Sequence, residues 1–98
     1  MLQELTERIV QIVDGRDKLG FDVKFDLGDD GIIFVHGNSE PIAVGNDGGD
    51  AETVFVVSAG NLHSMLAGDL SPMMAYMQGK LKIHGDLGRA MQINSLFS

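Results

Sequence analysis

The chain has 98 residues, 44% of them hydrophobic and 21% charged, with a net charge of −7. One domain is expected over 1–98, with enough apolar residues for an ordinary core. The acidic balance excludes nucleic acid as a partner, since phosphate binding needs clustered Lys and Arg, and it disfavours an anionic membrane unless one local patch is basic.

Leu2, Leu5, Ile9, Ile12 and Val13 recur at helical spacing with Glu4, Glu7 and Arg8 between them. This predicts an amphipathic first helix closed by Gly15, and not a secretory signal. Phe21, Val23, Phe25 and Leu27 then alternate with Asp22, Lys24 and Asp26, the period-two pattern of a strand with one buried face. Gly28-Asp29-Asp30-Gly31 is a tight turn, and Ile32 to His36 returns as the second strand of a hairpin. Ile42-Ala43-Val44 reads as a short third strand, 45–50 as an exposed Gly/Asn/Asp connection, and Thr53 to Val57 as a largely buried strand.

Ser58 is placed to cap a helix carrying Leu62, Met65 and Leu66 and ended by Gly68. Ser71-Pro72 starts a second short helix with Met73, Met74, Tyr76 and Met77, which stops at Gly79. Lys80 to His84 alternates once more and suits an edge strand. Asp86 is expected to cap a last helix over 87–97, with Leu87, Ala90, Met91 and Ile93 leading to Leu96 and Phe97. Strands and helices are grouped rather than strictly alternating. The fold class is therefore α+β, with a mainly antiparallel sheet of about five strands covered on one face by helices.

No chemistry-bearing constellation emerges. Cysteine is absent, which suits a reducing cytoplasm and removes any thiolate ligand or nucleophile. His36, His63 and His84 form no metal-ligand motif, although His36 and His84 each close a strand and meet if those strand ends are adjacent. Ser58, Ser64 and Ser71 lack a nucleophile elbow. The glycine-rich turns carry acids that repel phosphate. No metal, no cofactor and no enzymatic activity are expected. Lys80 and Lys82 point the same way on one strand and are candidates for a carboxylate or phosphate head group, or for a lipid surface.

The string Ser71-Pro72-Met73-Met74-Ala75-Tyr76-Met77-Gln78-Gly79-Lys80-Leu81-Lys82-Ile83-His84-Gly85-Asp86, followed by Ala90-Met91, resembles the signature of the sterol carrier protein (type 2) family. The resemblance extends to the strand, helix and Gly of Asp50 to Gly68 and to the hairpin Val23 to Val35. It implies a five-stranded sheet with a hydrophobic tunnel beneath the helices, and non-catalytic carriage of a fatty acid, acyl-CoA, sterol or isoprenoid. The acidic charge and the end Leu96-Phe97-Ser98, which is no peroxisomal address, favour an acyl-binding bacterial-type relative over a sterol carrier.

The expected lipid-contacting set is Leu62, Met65, Leu66 and Leu70 around the first short helix and Met73, Met74 and Met77 on the second. Leu81 and Ile83 join from the strand, and Met91 and Phe97 from the last helix. Five of the six methionines fall at or after Met65; unbranched and polarisable, they suit a cavity of variable shape, and equally suit plain core packing. The break Gly68 to Pro72 is either a gate or an ordinary helix–helix turn. Leu96 and Phe97 either dock onto the sheet or form a lid touching a membrane. The alternative function is an accessory module that scaffolds enzymes of lipid or isoprenoid/quinone metabolism, with a homodimer as a further possible assembly.

Overall fold

In the computed structural model, residues 1–17 and 19–94 are described. Helix α1 runs from Leu2 to Val13 and buries Leu5, Ile9 and Val13, one stripe along its length, while Glu4, Glu7 and Arg8 face solvent. Five strands follow: β1 (Val23–Asp26), β2 (Ile32–His36), β3 (Ala43–Gly45), β4 (Thr53–Val57) and β5 (Leu81–Gly85). Helices α2 (Ala59–Leu66) and α3 (Pro72–Met77) lie in the chain between β4 and β5, and α4 (Leu87–Asn94) follows β5.

The strands form one sheet in the order β3-β2-β1-β4-β5. Every pair is antiparallel except β1 with β4, which is parallel and brings Phe25 opposite Phe55. Their rings stack with centroids 5.3 Å apart. The chain is thus α+β with a mainly antiparallel sheet, as the grouping of strands and helices predicts; the parallel pair is the addition that local patterning does not reveal.

Alternation along the strands makes the sheet two-faced. Val23, Phe25, Ile33, Val35, Phe55, Val57 and Leu81 are buried, and the registers put them on one face, under the helices. The opposite face carries Lys24, Val54, Val56, Lys82 and His84, all half-buried or exposed. Phe34 also projects there yet is buried, because Gly49 of the 45–50 connection lies against its ring and His36 packs beside it with centroids 4.4 Å apart. Lys24 Nζ fixes that connection by donating to the Gly49 carbonyl at 2.8 Å.

Other details depart from the sequence reading. The β1–β2 turn is a single 3-10 turn over Gly28–Asp30. β5 begins at Leu81 rather than Lys80, because the Lys80 N–H is spent on the Ala75 carbonyl at 2.8 Å. His36 and His84 do not meet: β1 and β4 lie between their strands, a separation of about 14 Å at ordinary strand spacing. Leu96 and Phe97 lie outside the described residues, so the expected lid has no structural account here.

Candidate functional site

Helix α3 is held in place by its ends and one small residue. Ser71 Oγ accepts the Met74 N–H at 3.1 Å, and Pro72 fills the first helical position, where a missing N–H costs nothing. Ala75 is fully buried, and its small side chain lets the helix approach the sheet edge closely. Gly79, with φ +76°, reverses the chain, and β5 begins two residues later. α3 and β5 are therefore a tight antiparallel pair.

The exit from β5 is equally constrained. Gly85 has φ +100°, and a side chain there would run into the Glu52 carbonyl. Asp86 Oδ1 then accepts the Gly88 and Arg89 N–H groups at 2.8 and 3.3 Å, capping α4. Arg89 ties α4 back to the sheet: its guanidinium lies 5.4 Å from the Phe21 ring centre and 3.7 Å from Glu52. Both ionic groups are partly exposed, so the pair positions more than it stabilises.

Between α3, β5 and α4 these constraints leave an apolar groove of about 130 Å³. Pro72, Met73 and Tyr76 form one wall, Leu81 and Ile83 the floor, and Leu87, Ala90 and Met91 the other wall. The walls are unusually open to water for such residues: Met73 and Tyr76 are each 47% exposed, Leu87 55% and Met91 57%. Apolar exposure concentrated on two facing helices marks a binding surface more often than a random excess.

A second apolar space lies deeper, under α1. Ile9, Ile12 and Val13 meet Val23, Phe25 and Val35 of the sheet, with Leu19 and Ile93 closing the sides, and only about 10 Å³ remains. That is about one water molecule's worth of room. Helix α4 lines both spaces, through Ala90 and Met91 outside and Ile93 inside. Among the described residues the apolar volume is thus a surface groove and a nearly filled interior, not one continuous channel as the resemblance implies. Ile93, 2% exposed, helps fill the interior space, while Ala90 and Met91 of the same helix line the groove.

Of the expected lipid-contacting set, the structure brings Met73, Leu81, Ile83 and Met91 together around the groove. Leu62, Met65 and Leu66 are buried in the core on the α2 side, and Leu70 packs against that core. Met74 and Met77 point outward from α3, at 48% and 72% exposure. Phe97 lies outside the described residues. Pro72, Tyr76, Leu87 and Ala90 line the groove although they were expected only as helix residues; Tyr76 could have been found as the residue three on from Met73. Lys80 and Lys82 line a depression with Asp26 and Ser58, away from the groove, because Lys82 alternates with Leu81 and Ile83.

A larger crevice of about 470 Å³ separates α1 from α2, but Glu4, Glu7, Arg8 and His63 line it. Arg8 Nη2 spans it to the Leu66 carbonyl at 3.0 Å. Charged walls make it a poor home for a hydrocarbon. Ser58 and Ser71 direct their hydroxyls to helix caps. Among the described residues no three His, Asp or Glu side chains converge to hold a metal, and no helix is long and apolar enough to cross a membrane.

The class of fold is thus an α+β domain with helices on one face of a five-stranded sheet and an open apolar groove beside the edge strand β5. Residues 2–98 match the SCP-2 sterol transfer family, and the chain belongs to that family. It is 41% identical over 46 residues to hydroxysteroid dehydrogenase-like protein 2 of Xenopus laevis, covering 47% of this chain and 11% of that protein. The chain therefore spans only a small part of the curated relatives it matches. Among solved structures, the sterol carrier protein-2 of Aedes aegypti in complex with palmitate superposes with a TM-score of 0.78 at 14% identity, over 97% of this chain and 92% of that one. The ubiquinone synthesis protein UbiJ-SCP2 superposes at 0.70 and 13% identity, over 97% and 86%. At these identities the likeness is one of fold.

Proposed function

We propose that this chain binds an apolar lipid, a fatty acid or its acyl-CoA ester before a sterol, and carries it without catalysing a reaction. The observation that carries the reading is the groove between α3, β5 and α4, walled by half-exposed Met73, Tyr76, Leu87 and Met91. Family membership and the palmitate held by the Aedes aegypti relative support the ligand class.

Size refines the reading. By the same measure that gives one water about 10–15 Å³, the groove accepts about ten water-sized groups such as methylenes. At about 0.8 kcal/mol each when fully buried, that is at most about 8 kcal/mol, and an open groove buries each only in part while binding also costs entropy, so the groove alone falls below the roughly 8 kcal/mol of micromolar binding. A long acyl tail therefore gains by reaching past α4 into the space under α1, which Ile93 helps close. The ligand opens α4 rather than entering a preformed tunnel.

Titrating palmitate into delipidated protein tests this. Saturable micromolar binding that raises the melting temperature is expected. Absence of both heat of binding and thermal shift refutes it.

A second reading has one observation in its favour. The interior is nearly filled, as suits an accessory module that scaffolds enzymes of lipid or quinone metabolism, and the fold is shared with a ubiquinone synthesis protein. Native mass spectrometry separates the two: bound lipid supports the carrier, and a stable complex with other proteins and no lipid supports the module.

A further inference from the structure

The chain holds six methionines but neither cysteine nor tryptophan, so methionine sulfur is its most readily oxidised side-chain group. Met65 is shielded at 2% exposure, while each of the other five is at least 47% exposed. Two of those five line the groove on opposite walls, Met73 on α3 and Met91 on α4. Met74 and Met77, equally open, lie outside the lining. An apolar, pliable thioether suits a hydrocarbon guest, whereas its sulfoxide is polar and chiral. Of the eight residues that line the groove, Tyr76 alone carries an oxygen or nitrogen in its side chain, so the walls offer a polar group little compensation.

We propose that Met73 and Met91 are modification sites, and that their oxidation to sulfoxides by a peroxide lowers the affinity of the groove for lipid. This rests on the reading of the groove as the lipid site. The thioether sulfur attacks one oxygen of hydrogen peroxide; an S–O bond forms, the O–O bond breaks, and the other oxygen leaves as water with both protons. Sulfur undergoes a two-electron oxidation and the peroxide the matching reduction, so the step balances without a further co-reactant. Unlike a thiol, the thioether needs no deprotonation before it reacts. In the empty, open groove each S=O group faces water. Beneath an acyl chain it loses that water and finds at most the Tyr76 hydroxyl, so the penalty falls on the lipid-bound state. A dithiol acting through a methionine sulfoxide reductase reverses the change, giving thioether, disulfide and water.

Hydrogen peroxide treatment, followed by peptide mass mapping and palmitate titration, tests it. Met73, Met74, Met77 and Met91 should oxidise well before Met65, and palmitate should slow Met73 and Met91 but not Met74 or Met77. Each groove sulfoxide should weaken palmitate binding by about tenfold, and the pair by about 100-fold, near the low end for an unpaired buried polar group because both positions keep some water. The melting temperature of the lipid-free protein should hardly change. Met74→Leu/Met77→Leu should keep the full peroxide response and Met73→Leu/Met91→Leu should lose it, each judged against its own untreated affinity. Sulfoxide reductases with dithiothreitol should restore binding by the oxidised wild type. Failure of untreated protein to bind palmitate sinks the carrier reading and this proposal with it. Unchanged affinity once both groove sulfurs are oxidised, no protection by palmitate, a full response in Met73→Leu/Met91→Leu, or loss of binding through unfolding overturns the proposal alone.

Discussion

Replacing Ile93 by Ala removes a side chain that closes the interior space under α1, on the helix whose Ala90 and Met91 line the groove, and its effect can be worked from the structure. Ile93 is 2% exposed and helps close a space of about 10 Å³. Three carbons are lost, worth about 2.4 kcal/mol of transfer free energy. The vacated volume, about 80 Å³, adds up to about 2 kcal/mol at 24 cal/mol per Å³, less whatever the neighbours recover by relaxing. A loss of about 3 kcal/mol is expected, a large share of the 5–15 kcal/mol typical of a folded domain. For a chain of this length that lowers the melting temperature by about 12 to 24 °C. Palmitate should offset much of the loss, since about three of its methylenes refill the vacated space and no isoleucine has to move. Differential scanning calorimetry with and without palmitate reads both effects. The ligand-induced rise must be larger in Ile93→Ala than in wild type. An equal or smaller rise would show that the acyl tail never reaches Ile93, and the joined-cavity argument would fail.

Two further substitutions test the framework that shapes the site. Thr53 is fully buried, and its hydroxyl has no hydrogen-bond partner among the described residues, so Thr53→Val should stabilise the free protein by about 1 kcal/mol in a denaturant titration; a loss of stability would mean the hydroxyl is satisfied. Gly85→Ala combines a φ of +100° with a clash against the Glu52 carbonyl, so it should unfold more readily by at least about 2 kcal/mol and weaken palmitate binding by displacing α4, whereas a wild-type urea midpoint would contradict the turn geometry.

Much of the framework was legible in the sequence because local rules and the final packing agree. Phe21 to Leu27 alternates strictly, and those apolar residues are buried. Ser58, Ser71 and Asp86 were readable as caps, and each accepts a backbone N–H. The groove was only half legible. Residue type cannot tell a buried Met65 from a 72% exposed Met77, because methionine suits both settings and α3 is only six residues long, too short for a clear periodic stripe. Leu62 and Leu66 sit as far down their helix as groove residues would, but α2 packs against α1 and the core rather than beside α4. The depth of Ile93 depends on how α4 lies across the sheet, which depends on Gly85 and Arg89 together. The parallel pairing of β1 with β4 is a long-range choice that neither strand's own pattern encodes.

That pairing has a consequence for how the molecule assembles. β1, β2 and β3 form a meander of neighbours in sequence, and β4 joins β5 through an excursion of two short helices. Each half can organise by closing modest loops, but only the Val23–Asp26 to Thr53–Val56 seam welds them into one sheet. Aligning that seam brings together positions 30 apart before any contact across it is rewarded, an entropic toll that grows with separation. The rate at which this chain reaches its native state should therefore be set at the middle of the sheet, where Phe25 finds Phe55, and not at its edges.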